Sequence, residues 1–189
     1  MGGRGSESGL SFSIPSGGHN FTNYSLSEQL PKNSKEALGH KGKQHSIAAA
    51  LKTVNPNRNP AYSEYSENCQ RCVVAYELQR RGYNVEAQPT YDGDKWSASH
   101  KVGNMYMDRW RGAFRHAKSV AVGSPSGEKV LKNIAAEMKS YGPGARAVVS
   151  INYKGRGHGG HVFNVENVGG RVQYLSLIHI SEPTRQAEI

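Results

Sequence analysis

The chain has 189 residues, a formal charge of +9 from 24 Lys+Arg against 15 Asp+Glu, 36% hydrophobic residues and two cysteines. That length has room for one domain and hardly for two. No apolar run approaches the ~18 residues of a spanning helix, the start MGGRGS lacks the apolar stretch of a signal peptide, and two cysteines make no disulfide framework, so a membrane protein, a stapled secreted mini-protein and a coiled coil are excluded.

Residues 1–44 are rich in Gly, Ser, Asn and Lys with few periodic apolar positions, which predicts a disordered leader. Ser46 is placed to cap a short helix through Ile47 and Leu51 that Asn55-Pro56 ends, and Pro56 and Pro60 make the approach up to Tyr65 irregular. Asn68 reads as the N-cap of a second helix, with Cys69, Cys72, Val73 and Tyr76 at helical spacing and Gly82 just past its end. Arg80 and Arg81 fall in its last turn, where the helix dipole favours cations. Tyr83 to Ala87 alternates as a strand, residues 90–103 read as a loop, and Met105 to Lys118 reads as a helix bearing Trp110 and Phe114. A turn at 123–127 leads into an amphipathic helix containing Val130, Leu131, Ile134 and Met138, ended by Gly142-Pro143-Gly144. The period then switches to two: Ala145–Tyr153, His161–Asn167 and 171–174 form an antiparallel meander through the glycine-rich turns at 155–160 and 169–170. Helices followed by a run of strands predict an α+β fold.

Two features carry chemistry. Cys69 and Cys72 sit at a helix start, where free N–H groups and the dipole favour a thiolate and lower a thiol pKa. His161 opens a strand, and alternation puts it on one face with Phe163 and Val165, the face expected to meet a helix. If that helix bears the cysteines, a thiol and an imidazole come together as a nucleophile and its base. The competing reading is zinc, since Cys69-x-x-Cys72 and His158-x-x-His161 supply two ligand pairs; a cysteine pair inside a regular helix is a poor chelate, and no metal or cofactor is assigned.

The run NCQRCVVAYELQRRGYNVEAQP (Asn68 to Pro89), with VNPN (Val54 to Asn57) and GGHVFNVEN (Gly159 to Asn167), resembles the papain-fold toxin family, or toxin glutamine deamidase domain, of bacterial polymorphic toxins and phage head-associated proteins. The resemblance spans about residues 46–174. It implies a papain-like scaffold, a cysteine helix packed on a C-terminal antiparallel sheet, and a Cys–His–Asp triad that hydrolyses an amide through a thioester. The nucleophile then lies in Asn68–Cys72 and the base is His161. Cys69, at the first helical position, is the first choice; Cys72 is the alternative, because in papain-type Cys-x-x-Cys stretches the second cysteine attacks. The family's acid follows the strand after the Gly-Gly turn, typically as Asp-Pro-Gln. No Asp lies downstream of His161; Glu182 and Glu188 would be accidental substitutes, and Asn164 and Asn167 lie on the histidine's own strand.

Residues 175–189, LSLIHISEPTRQAEI, resemble the translation of a transposase sequencing adapter. The expectation is that the natural product continues past Tyr174, so that the domain, residues 45–174, is truncated and lacks the residue that orients its imidazole. Three functions follow. The first is a thiol amidohydrolase, a glutamine deamidase toxin or effector, with protease-like activity the nearby variant. Its partners would be an acidic protein substrate and an immunity protein. The second is a phage head-associated protein with a secondary or inactive papain-like domain. The third is a basic nucleic-acid- or zinc-binding module, for which the cations and aromatics of Asp108–His116 are the only clustered signal. The places implied are the cytoplasm of the producing cell, a virion, or a target cell into which the protein is delivered.

Overall fold

Ser46 begins the first helix as its sequence suggests: its hydroxyl accepts from the Ala49 N–H at 3.1 Å, and helix α1 runs Ile47–Thr53. The computed structural model describes residues 11–14, 42–89, 110, 118–124, 126–152 and 160–177. Within them follow a one-turn helix α2 (Ser63–Ser66) and helix α3 (Cys69–Gln79), every residue of which is buried. An amphipathic helix α4 (Gly127–Ser140) starts at Ser126, which accepts from the Lys129 N–H. Its Val130, Ile134 and Met138, four apart, are buried, and each such side chain removed from water contributes about 1.5–3 kcal/mol.

Five antiparallel strands form one sheet: β1 (Ser11–Ile14), β2 (Lys118–Ala121), β3 (Arg146–Asn152), β4 (Gly160–Val168) and β5 (Arg171–Leu175), in the order β2-β1-β3-β4-β5. The expected meander is β3-β4-β5, with Ile151 opposite His161 and Asn164 opposite Leu175. Gly169 and Gly170, at φ 60° and 92°, make its tight turn in a conformation that side chains resist. β5 runs one residue past Tyr174, and both Leu175 and Leu177 are buried.

Each face of the sheet is covered. On one side Val148, Val162 and Leu175 join α3, α1 and Trp110 in a core. On the other, Ala147, Val149 and Val165, with Phe163 against them, pack with Val130, Ile134 and Met138 of α4. No helix among the described residues is long and apolar enough to cross a membrane.

Several expectations need correction. The leader is not wholly without structure, because Ser11–Ile14 pairs with both β2 and β3; a four-residue strand is too short for its pattern to stand out in a polar stretch. Tyr83 to Ala87 is not a strand. Val85 and Ala87 are buried as the alternation suggests, but the backbone is held by single bonds, Ala87 N–H to Val54 O at 2.7 Å and Gln79 Nε2 to Val85 O at 2.8 Å, rather than by a ladder. Lys118 opens β2 instead of closing a helix. Of the expected 105–118 helix only Trp110 and Lys118 are described, with Trp110 buried; the 90–103 loop and the rest of the basic, aromatic stretch lie outside the described residues.

Candidate active site

Cys69 is the first residue of α3, and its thiol lies at the backbone N–H groups of Cys69, Gln70 and Val162. Val162 follows His161 on β4, so the sulfur abuts the peptide that joins the two. Burial pushes the Cys69 thiol above its ordinary pKa; the Val162, Gln70 and Cys69 amides pull the other way, and the Glu67 charge adds a small upward push. The helix start therefore acts in the expected direction but does not win, because a thiolate sealed from water loses more hydration than three amides restore.

Cys72 lies one turn further in. It is 1% exposed, donates from Sγ to Asn68 Oδ1 at 3.2 Å, and burial together with the neighbouring Cys69 raises its pKa well above the usual value. Such a thiol behaves as a small core residue.

His161 is 7% exposed at the opening of β4. Alternation does put it with Phe163, whose ring it stacks on at 5.7 Å, and with Val165. That face, however, is turned to α4, and the residues turned to α3 are Val162, Asn164 and Glu166. Because both faces of the sheet are covered, both read as apolar, and alternation alone cannot say which helix lies on which. The link between the histidine strand and the cysteine helix is the neighbouring residue, Val162, whose N–H lies at the Cys69 thiol.

His161 Nε2 is hydrogen-bonded to Ser176 Oγ at 3.0 Å, just beyond the end of β5. A hydroxyl thus stands at one of the two ring nitrogens. Asn164 and Asn167 do not take that place: Asn164 Nδ2 donates to Val73 O at 3.4 Å, and Asn167 Nδ2 to Met138 O and Gly142 O at 3.0 Å each. Glu182, Glu188 and His158 lie outside the described residues. Among the described residues no three of His, Cys, Asp and Glu are grouped so as to hold a metal ion.

The far end of α3 is ionic, which the sequence did not disclose. Arg80 pairs with Glu166 on β4 through Nε–Oε1 at 2.7 Å and Nη2–Oε2 at 2.9 Å, and Tyr76 donates to the same carboxylate at 2.7 Å. Glu77, fully buried, accepts from Arg146 Nε of β3 at 3.1 and 3.3 Å and lies 3.7 Å from Arg81. Arg80 and Arg81 thus serve as partners of buried carboxylates rather than as dipole-capping cations. The acid partner of Arg80 was hidden because Glu166 sits 86 residues away, whereas Glu77 lies four residues before Arg81 on the same helix.

A cysteine-headed helix lying on an antiparallel sheet, with a histidine at the adjoining strand end, defines a papain-like α+β domain. Residues 67–177 match the family described as papain fold toxin 1, glutamine deamidase, and the chain belongs to that family. No curated protein and no solved structure matches the chain.

Proposed function

We propose that the protein is a protein-glutamine deamidase in which Cys69 is the nucleophile and His161 its base. The observation that carries this reading is the position of the Cys69 thiol, on helix-start amides and against the peptide of His161. Cys72 is the weaker candidate, being deeper and already engaged with Asn68.

The chemistry runs in two halves. The Cys69 proton passes to His161 as sulfur attacks the side-chain carboxamide carbon. The imidazolium returns that proton to the departing nitrogen, ammonia leaves, and a thioester remains. Water then gives a proton to His161 while its oxygen attacks the thioester, releasing glutamate and restoring the thiol. Since burial holds the free thiol protonated, ionisation is coupled to transfer onto the imidazole rather than present beforehand.

With Ser176 Oγ at His161 Nε2 as the proposed third member, a neutral hydroxyl orients the ring without stabilising its positive charge, so activity is impaired. On the same proposal residues 175–189 are foreign to the natural product, and position 176 is the one where its acid belongs. Genomic DNA beyond the Tyr174 codon with an acidic codon at position 176 supports this; LSLIHISEPTRQAEI in an independent genomic clone overturns it. The +9 charge suits an acidic protein substrate. An immunity protein that covers the Cys69 end of α3 is the partner expected of a toxin.

The test is ammonia release from N-benzyloxycarbonyl-Gln-Gly, with mass-spectrometric mapping of iodoacetamide label. Turnover lost in Cys69→Ala and kept in Cys72→Ala supports the assignment; turnover that survives Cys69→Ala sinks it.

A further inference from the structure

The residue before Cys69 is an asparagine that does not cap its helix. Asn68 has φ −90° and ψ 27°, and its side chain makes no bond to the N–H groups of the first turn. An N-cap asparagine ordinarily folds back on the amide two or three residues ahead. Here the amide faces the other way. Its Oδ1 accepts from Asn55 Nδ2 at 3.1 Å and from the Cys72 thiol at 3.2 Å, while its Nδ2 donates to Asn55 Oδ1 at 3.2 Å and to Gln88 O at 3.1 Å. Asn55 completes the lock by donating to Tyr65 O at 3.0 Å. Both asparagines are buried, and both ends of each amide are engaged.

Resting on the assignment of Cys69 as nucleophile, we infer that Asn55 is a positioning residue: by holding the Asn68 amide in a reciprocal pair, it keeps the first-turn N–H groups of α3 for the reacting sulfur. The capping oxygen and the sulfur compete for the same few amides, since a helix start offers only four free N–H groups. A side chain that capped in the usual way would stabilise the helix and remove donors from the anion. Asn55 acts only through Asn68 and touches no reacting atom. The neighbouring VNPN segment holds it in place, with Val54 buried beside α3 and its carbonyl bonded to the Ala87 N–H.

The experiment compares the full chain with Asn55→Ala, Asn68→Asp and Asn68→Gly. Each is assayed for kcat and KM on N-benzyloxycarbonyl-Gln-Gly and for the pH profile of Cys69 alkylation by iodoacetamide. Asn55→Ala releases Asn68 to cap; kcat is expected to fall about 10- to 100-fold, the worth of one hydrogen bond to a charged group, with KM within about twofold and the alkylation midpoint moved to higher pH. Asn68→Asp, a strong cap, is expected to do the same, while Asn68→Gly, which has no capping oxygen, retains more kcat than Asn68→Asp. If Asn55→Ala does not fold, that last pair decides. A merely structural role predicts the reverse order within the pair, or an unmoved alkylation profile, and either result overturns the inference. Failure of the deamidase reading is separate: it shows as no turnover by the unsubstituted chain, whose alkylation profile still reports the effect of Asn55.

Discussion

The two ends of α3 are built from opposite materials. At its start, neutral hydrogen bonds join an asparagine pair, a backbone carbonyl and the Cys72 thiol. At its end, two carboxylates and three arginines bind the helix to β3 and β4. Eight residues separate Cys69 from Glu77, about 12 Å along a helix axis. The difference teaches how one helix can be anchored by neutral bonds at one end and by ion pairs at the other: the Glu77 and Glu166 pairs fix it two turns from the Cys69 sulfur, and neither figures among the influences on that thiol. On the proposed reading the ionic end positions the helix and the amide end carries the reacting sulfur.

Single substitutions and one pH titration would break or sharpen that contrast. The largest effect belongs to the start. Cys69→Ala is expected to lower turnover by roughly 10⁴-fold or more with the fold intact, as loss of a nucleophile does elsewhere. Cys72→Ala is expected to stay within a few fold in kcat while costing about 1–2 kcal/mol of stability, read by urea denaturation.

Next comes the ionic end, where the effect should fall on stability alone. Arg146→Met leaves the buried Glu77 carboxylate with Arg81, 3.7 Å away, as its remaining partner. A broken buried pair costs about 3–5 kcal/mol; since Arg146 is itself 22% exposed, so that water can enter where it stood, about 2–4 kcal/mol is expected, with kcat of the folded fraction within a few fold. A large loss of kcat without loss of stability would contradict the division of labour between the ends.

Smaller again is Ser176→Asp, which puts a carboxylate at His161 Nε2. It is expected to raise kcat about tenfold or more, because an orienting carboxylate elsewhere is worth up to about 10⁴. Ser176→Ala should lower it. No change with either substitution would mean that Ser176 does not orient the ring.

The smallest effect is a slope. Burial pushes the Glu77 carboxyl above its usual range despite its arginines. Between the unfolded carboxylate value and that raised value, the folded chain holds more protons than the unfolded one. Stability therefore falls as pH rises through this window, by at most about 1.4 kcal/mol per pH unit, and levels off above it. Glu77→Gln should flatten the curve in urea denaturation followed against pH.

The parts legible in the sequence were those with a local cause. Ser46 and Ser126 cap because a hydroxyl at a helix start has nearby donors; Val130, Ile134 and Met138 are buried because they repeat on one helical face. The meander was readable from its period and its Gly-Gly turn, and Cys69 from its place at a helix start. His161 does share a face with Phe163 and Val165 as alternation suggests, but that face meets α4 rather than the cysteine helix. The Asn55–Asn68 pair was missed altogether. Asn68 looked like a cap, and nothing local to it says that a residue thirteen positions earlier would claim its amide.

By itself the sequence determined the α+β class, the helices that begin on good caps, the β3-β4-β5 meander and the short set of residues able to do thiol chemistry. These follow from periodicity and from side chains that act on their own backbone. Only the tertiary structure decided which cysteine meets the histidine strand, which hydroxyl meets the imidazole, and that the two arginines closing α3 would be spent on buried carboxylates. Apart from the i,i+4 pair of Arg81 with Glu77, those outcomes join groups far apart in the chain, 15 residues for His161 and Ser176 and 86 for Arg80 and Glu166, and their energies come from desolvation and pairing, which have no local pattern to read.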